Sequence, residues 1–236
     1  MTLNIYKPTV TEFETDDILI RKASDYIDGT IIDNQSQHGI ARVLLSGGQT
    51  PMPVYKMLGN NGAIDWSNLE LFCTDERFVA STSPNSNQFN IIKSFGREII
   101  ESCREVNFFK VDQDIATCIQ DYDARLDALD DIWFDLTILG IGPDGHIASL
   151  FPGNSYLKHI ETPTLQSLAP KQFSIKERVS LSIESILNSR EILILLNGEN
   201  KLNILSELLE GNLPASEFPA KFLLSHPRVK VFCCFQ

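Results

Sequence analysis

The hydrophobic pattern of this chain alternates between short apolar runs and longer segments with helical spacing. Four apolar runs end in polar or glycine-rich loops, and they cover residues 41–46, 69–74, 134–139 and 191–196. Amphipathic helical patterns cover residues 16–35, 51–58 and 115–129. Strands that alternate with helices are typical of a parallel sheet with crossover helices. We therefore predict a single α/β domain over residues 1–236, with a Rossmann-like open, mostly parallel sheet and helices on both faces.

The loops that follow these four runs are the expected position of a functional site. In open α/β sheets, ligands bind beyond the carboxyl ends of the strands, where such loops converge. Two of the loops are rich in glycine, a third begins with Asp75, and the last precedes a helix that carries Lys201. The segment 152–176 has no regular periodicity and is predicted to be a long loop.

The net charge restricts the possible partners. The chain of 236 residues has 20 Lys and Arg against 31 Asp and Glu, a formal net charge of −11. Nucleic acids and anionic membranes are bound by clustered basic side chains, so neither is an expected partner. An anionic small molecule would have to be held by isolated cations or by free backbone NH groups.

Cysteines, histidines and the start of the chain give further expectations. The 5 cysteines include no CxxC pair and the 4 histidines lack HExxH spacing, so neither a disulfide framework nor a metal site is expected. The first residues do not form a basic stretch followed by a long apolar one. We expect a cytoplasmic protein without a cofactor, and its oligomeric state, monomer or homodimer, stays open.

The loop after the first apolar run has features of an anion site. It reads Ser46-Gly47-Gly48-Gln49-Thr50-Pro51, with a predicted capping hydroxyl at Thr50 and a proline at the first helical position. Glycines allow close approach of a ligand to the backbone, and a helix start offers unpaired NH groups. The GxxxxGK pattern of nucleotide-binding loops is absent, which favours a sugar phosphate. The alternative is an ordinary strand-to-helix turn.

A second glycine loop matches the GxGxxG pattern of dinucleotide-binding proteins. Its glycines are Gly140, Gly142 and Gly145, but Pro143 lies inside the turn and no acidic residue ends a strand about 20 positions later. Nicotinamide binding is therefore not predicted. Asp144 and His146 give the loop another use, since a neighbouring carboxylate and imidazole can perform acid–base catalysis. Taken alone, an Asp-Gly-His segment is more often a plain turn than a catalytic pair.

Several motifs together resemble the 6-phosphogluconolactonase family, within the wider group that includes glucosamine-6-phosphate deaminases and isomerases. Residues 46–51 are similar to SGGSTP, residues 75–79 to DERxV with Ser86-Asn87 after it, and residues 140–153 to GxGxDGHxASLFPG. Arg178 begins a match to R-(I/V)-T-(L/M), and Lys201 completes a match to GxxK. Order and spacing agree over most of the chain. Five motifs in order are far more specific than any one of them.

Two positions separate the activities within this group. The deaminases carry DGHxAFNEP, whose Glu transfers protons, whereas this chain has Phe151 at the corresponding position. Arg77 also stands where the deaminases usually have a tyrosine. The resemblance therefore implies hydrolysis of 6-phospho-D-glucono-1,5-lactone to 6-phosphogluconate, in the oxidative pentose phosphate pathway. The alternatives are an amino-sugar phosphate deaminase or isomerase, and a sugar-phosphate sensor without catalytic activity.

The predicted reaction assigns catalytic roles to a few residues. His146 is the candidate general base for a water molecule, because imidazole has an ordinary pKa of about 6.5. Either Asp144 or Asp75 orients it. Arg77 either polarises the lactone carbonyl or holds ring hydroxyls. A covalent nucleophile is not expected, since GxSxG is absent.

The remaining candidates hold the substrate. The phosphate is expected on Gly47, Gly48 and Thr50, with Arg178 and Lys201 supplying positive charge. Asn87 is expected to contact substrate hydroxyls. Gln49 departs from the usual serine of the motif, which removes a hydroxyl at that position but leaves the backbone site in place.

Overall fold

The fold is described by a computed structural model over residues 5–60, 62–129, 133–154 and 162–236. The strands are β1 Thr9–Glu12, β2 Ala41–Leu45, β3 Leu69–Cys73, β4 Asp75–Arg77, β5 Glu105–Asn107, β6 Leu136–Leu139, β7 Thr164–Leu168, β8 Glu177–Leu181, β9 Ile192–Asn197 and β10 Val229–Cys234. The α-helices are α1 Asp16–His38, α2 Met52–Leu58, α3 Asn87–Phe95, α4 Arg97–Ser102, α5 Ile115–Asp127, α6 Ile183–Leu187 and α7 Leu202–Glu210.

A parallel sheet forms the centre of the molecule, as predicted. Its strand order is β1-β10-β9-β6-β2-β3-β5, and every pairing between neighbours is parallel. Strands β3 and β6 are buried along their whole length, which explains why they read as continuous apolar runs in the sequence. Helices cover both faces of the sheet, so the predicted α/β class is confirmed.

Helix α1 illustrates how local sequence sets the elements. The hydroxyl of Thr15 accepts a hydrogen bond from the backbone N of Ile18, and Gly39 ends the helix with a left-handed φ of 79°. Buried residues recur on one face of the helix, which packs against β2 and β10; they are Leu19, Ala23, Ile27 and Ile31. The helix is longer than the segment 16–35 that the periodicity predicts. No helix in the described ranges is long and apolar enough to span a bilayer.

A second, antiparallel sheet was not predicted. Its order is β4-β8-β7, and β7 lies inside the segment 152–176 that the sequence predicts to be a long loop. That prediction is wrong for Thr164–Leu168. The strand alternates buried and exposed side chains towards its end and carries polar residues, so it lacks the apolar run of a central strand. Residues 155–161 of the same segment lie outside the described ranges.

The strand order determines which loops meet. β9, β6 and β2 are neighbours, so the loops that follow them emerge side by side at one edge of the parallel sheet. The small sheet joins this edge through Thr74, whose backbone N donates to the carbonyl of Leu45 at 2.9 Å and whose carbonyl accepts from the N of Leu181 at 2.8 Å. Three predicted loops and the strands β4 and β8 therefore face one region.

Candidate active site

A cleft of about 650 Å³ lies at this edge and gathers the predicted site residues. Those lining it are Gly47, Gly48, Thr50, Asp75, Arg77, Asn87, His146, Arg178 and Lys201. Asp144 completes the set, because its carboxylate is hydrogen-bonded to His146. Residues that are far apart in the sequence are thus brought to one cavity of small-molecule size.

The loop after β2 forms one wall of the cleft. Gly48 adopts a left-handed φ of 96°, a conformation that favours glycine. The buried phenol of Tyr55 on α2 donates to the carbonyl of Ser46 at 3.1 Å and so fixes the start of the loop. The Ser46 hydroxyl is buried without a hydrogen-bond partner among the described residues, so it is available to a ligand.

The predicted capping role of Thr50 is wrong. The N-cap residue of α2 is Pro51, and no side chain caps this helix. Thr50 stands one position before the N-cap, where its hydroxyl is badly placed for the NH groups of the first turn. It faces the cleft instead.

Asn87 is held tightly against this loop. Its Nδ2 donates to the carbonyl of Asp75 at 2.9 Å, and its Oδ1 is buried without a hydrogen-bond partner in the described part of the chain. A Cβ atom on Gly47 would lie 1.9 Å from that Oδ1. Glycine is therefore required at position 47 for the amide to occupy this place, and the amide oxygen is left as an acceptor.

Glu76 organises the neighbouring backbone, and the sequence analysis missed it. Its carboxylate accepts hydrogen bonds from the backbone N of Arg77, Asn87 and Gln88, at 2.7, 2.6 and 2.8 Å, and from the Ser86 hydroxyl at 2.9 Å. Burial raises its pKa, although these hydrogen bonds oppose the rise. Glu76 lies between Asp75 and Arg77 in the sequence, and side chains alternate between the two faces of a strand. A carboxylate on the opposite face of β4 from two site residues was therefore the sequence signal for its role.

Asp75 does not contact the imidazole. One carboxylate oxygen accepts from the Thr74 hydroxyl at 2.9 Å and the other from the Ser149 hydroxyl at 2.6 Å. The predicted alternatives for orienting His146 are thereby distinguished by geometry, since Asp144 alone of the two is hydrogen-bonded to the ring.

The loop after β6 shapes the imidazole environment. Nδ1 of His146 donates to the Asp144 carboxylate, and the backbone N of His146 donates to the same carboxylate oxygen at 3.2 Å. Nε2 of the ring has no hydrogen-bond partner within the described ranges. The ring packs against Phe151 at a centroid distance of 4.7 Å. Burial by itself would raise the pKa of Asp144, but the hydrogen bond and charge of His146 outweigh it and the pKa is lowered.

Two arginines are paired on neighbouring strands of the small sheet. Arg77 on β4 is the antiparallel partner of Arg178 on β8, and like charges in this arrangement repel. Arg77 donates from Nη1 to the Asn85 carbonyl at 2.9 Å, and Arg178 donates from Nε to the Ile175 carbonyl at 3.2 Å. Neither forms an ion pair with another described residue. An anionic ligand would relieve the repulsion.

Arg178 and Lys201 are desolvated cations. Arg178 is 7% exposed, and burial lowers its pKa while Asp75 opposes this effect. Lys201 donates from Nζ to the Ile141 carbonyl at 2.6 Å; burial lowers its pKa too, and Asp144 opposes that effect. A buried cation without a carboxylate partner is costly unless a ligand supplies the counter-charge.

Asn197 and Phe173 also line the cleft and were not predicted as site residues. Asn197 ends β9, and its buried Oδ1 has no partner among the residues described. Asn197 directly precedes Gly198 of the GxxK match, and this position could have identified it as a site residue from the sequence. No cluster of three His, Cys, Asp or Glu side chains that could hold a metal ion occurs in the described ranges.

The fold and this cleft define a class of α/β enzymes that act on small anionic molecules at the carboxyl ends of parallel strands. Within that class, the chain belongs to the family of glucosamine-6-phosphate isomerases and 6-phosphogluconolactonase, whose model matches residues 14–232.

Individual relatives agree with this membership. The chain is 31% identical over 212 residues to a probable 6-phosphogluconolactonase of Dictyostelium discoideum, covering 88% of this chain and 89% of the relative. It superimposes on the crystal structure of a 6-phosphogluconolactonase from Shewanella baltica with a TM-score of 0.83 and 25% identity, covering 98% and 99% of the two chains. It also resembles a monomeric glucosamine-6-phosphate deaminase, with a TM-score of 0.81 and 26% identity, covering 96% and 97%. The fold alone therefore does not separate the two activities.

Proposed function

We propose that this protein is a 6-phosphogluconolactonase, which hydrolyses 6-phospho-D-glucono-1,5-lactone to 6-phosphogluconate in the oxidative pentose phosphate pathway. The observation that carries the proposal is the imidazole of His146. Its Nδ1 is engaged by Asp144 while the ring lines a cleft that also contains the unpaired cations Arg178 and Lys201. An ester substrate with a phosphate group requires both a base and such an anchor.

The reaction starts with water. Nε2 of His146 takes a proton from a water molecule as the water oxygen adds to the lactone carbonyl carbon. When the tetrahedral intermediate collapses, the bond between this carbon and the ring oxygen breaks, and the imidazolium gives its proton to the departing ring oxygen. The carboxylic acid that forms then loses a proton to water, which gives 6-phosphogluconate. Asp144 keeps the proton on Nδ1, so that Nε2 is the accepting nitrogen, and it stabilises the imidazolium that forms. No covalent intermediate is needed, since the hydroxyl of Ser149 donates to Asp75 rather than to an imidazole, and the hydroxyl of Ser46 has no base as a hydrogen-bond partner among the described residues.

The phosphate is held at the loop of Gly47 and Gly48, with Thr50, Arg178 and Lys201. The desolvation of both cations supports this assignment, since within the described residues each donates to a backbone carbonyl and neither donates to a carboxylate. Arg77 is left to contact the lactone carbonyl or a ring hydroxyl. The unpartnered Oδ1 of Asn87 suits a donating hydroxyl of the sugar.

Phe151 argues against deamination. It is 1% exposed and packs on the His146 ring at the position where the deaminases carry a proton-transferring Glu. A phenyl ring cannot transfer a proton. Lactone hydrolysis needs no second proton-transfer group there, so the substitution is compatible with this reaction.

We also propose one domain over residues 1–236, a cytoplasmic location, and a monomer or homodimer without nucleic-acid or membrane partners. The family match over residues 14–232 supports the single domain, and the net charge of −11 supports the absence of polyanionic partners.

A coupled assay tests the activity. Freshly generated 6-phosphogluconolactone is followed with and without the protein, and a dehydrogenase that oxidises 6-phosphogluconate reports the product. Because the lactone also hydrolyses spontaneously, the rate must rise in proportion to protein concentration and must fall to the background rate with His146→Ala. Ammonia release from glucosamine 6-phosphate, or tight binding of the lactone without turnover, would instead support one of the two alternatives.

A further inference from the structure

Phe173 lies in the hairpin turn between β7 and β8 and lines the cleft. The turn is closed by a hydrogen bond from the backbone N of Ala169 to the carbonyl of Lys176 at 2.9 Å, and by one from the N of Phe173 to the carbonyl of Pro170 at 3.1 Å. These bonds fix where the aromatic side chain is presented, although the turn lies at the surface.

The side chain of Lys176 strengthens the turn. Its Nζ donates to the carbonyl of Pro170 at 2.9 Å, to that of Lys171 at 2.7 Å, and to that of Phe173. An ammonium group that satisfies several carbonyls of one turn acts as an internal cross-link. The position of Phe173 is thus set by a side chain that does not itself line the cleft.

Phe173 contacts the candidate base. Its ring meets the His146 ring edge to face, with centroids 5.5 Å apart and an interplanar angle of 83°. It also packs on Phe151 at 5.3 Å, and Phe151 in turn packs on His146 at 4.7 Å. The three rings therefore form a triangular cluster in which the imidazole contacts both phenyl rings, and we expect these contacts to oppose its rotation away from Asp144.

Phe173 also contacts a candidate phosphate ligand. The guanidinium carbon of Arg178 lies 6.0 Å from the centroid of the Phe173 ring, within the range of a cation–π interaction. Arg178 is buried and forms no ion pair with any residue in the described ranges, so this ring face and the Ile175 carbonyl add to the favourable charges of Asp75 and Glu76 nearby. One aromatic side chain thus touches groups assigned to two different parts of the substrate.

We infer that Phe173 is a positioning residue that orients His146 for proton transfer and Arg178 for the phosphate at the same time. The inference rests on the proposed lactonase function. On this inference the β7–β8 hairpin is part of the site, and the ring of Phe173 sets the distance between His146 and Arg178. The two contacts have different physical requirements: the imidazole needs an apolar wall, whereas the guanidinium needs an aromatic face.

Two substitutions at this position separate these requirements. Phe173→Ala removes both contacts, and we expect kcat to fall on the order of tenfold or more, as for a displaced catalytic group, and KM to rise about two- to fivefold. Phe173→Leu keeps an apolar wall, so kcat should return close to the wild-type value while KM remains raised. Calorimetric binding of 6-phosphogluconate should weaken in both variants, independently of turnover.

Lys176→Met tests the turn, with Lys171→Met as the matched control on an exposed neighbouring lysine. Lys176→Met should change kcat and KM in the same direction as Phe173→Ala but less, and Lys171→Met should leave both unchanged.

Wild-type kcat and KM in Phe173→Ala, or a kcat loss that leucine does not reverse, would overturn the inference. The wild-type rate in the same assay tests the proposed function on its own. A wild-type protein that fails to accelerate lactone hydrolysis would overturn that function, whatever the variants show.

Discussion

The imidazole of His146 rests on the backbone of Gly142. A Cβ atom added to Gly142 would lie 2.0 Å from Cε1 and 2.1 Å from Nδ1 of the ring, closer than real contacts allow. The backbone N of Gly142 also donates to the carbonyl of His146 at 2.8 Å, so the glycine supports both the ring and the turn that carries it. The second glycine of this GxGxxG lookalike thus makes room for an imidazole.

Gly142→Ala should displace the ring and reduce turnover. We expect kcat to fall about 100-fold, because a displacement of about 1 Å at a catalytic group has an effect of this size. Gly140→Ala is the matched control in the same loop: its nearest neighbour would be the Leu195 carbonyl oxygen at 3.9 Å, an ordinary contact. Steady-state kinetics of both variants check this, and equal activities would contradict the role of Gly142.

His146→Ala should reduce kcat by roughly 100-fold or more, the scale of lost general-base catalysis. The protein should still fold, because the ring lies in a cleft rather than in the core, and only the contribution of the Asp144–His146 pair to stability should be lost. Circular dichroism and the thermal midpoint serve as checks of folding. His38→Ala, at the exposed end of α1, is the control and should retain full activity. Retained activity in His146→Ala would remove this residue from the mechanism.

Removing the phosphate anchors should act mainly on binding. We expect Lys201→Ala and Arg178→Lys each to raise KM about tenfold, the effect of losing a hydrogen bond to a charged group, with a smaller change in kcat. Lys56→Ala, on the exposed side of α2, should behave like the wild type. If kcat and kcat/KM instead fall equally, the cation acts in the transition state.

The Asp144–His146 pair predicts an acid-dependent stability. A carboxyl whose pKa is lowered in the folded state stabilises the fold above its unfolded pKa of about 3.9, and this contribution is lost as the pH falls through the folded value. Below about pH 4 the free energy of unfolding should therefore fall more steeply for the wild type than for Asp144→Asn. Urea denaturation across this range measures both slopes. Asp25→Asn, on the exposed face of α1, should keep the wild-type slope, and parallel curves for Asp144→Asn would refute the coupling.

Local sequence predicted four of the seven strands of the central sheet, and the family resemblance supplied most of the cleft residues. The runs at β2, β3, β6 and β9 are apolar because both sheet faces are covered, and that burial is directly visible as hydrophobicity. The loops after them were correctly expected to meet, because parallel strands end at the same edge. The antiparallel β7 was missed, since a short strand on a small sheet needs only a few buried side chains.

The order of residues along the chain reveals which chemical groups are available: an imidazole two residues from a carboxylate, glycines beside them, and scattered cations in an acidic chain. Folding is what brings Asp144 rather than Asp75 to the ring, places Arg77 opposite Arg178, and puts Phe173 in contact with both His146 and Arg178. Hydrophobic periodicity encodes which face of an element is buried. Contacts between side chains of distant segments depend on strand pairing and on competition between hydrogen-bond partners, and these are settled only when the chain is folded.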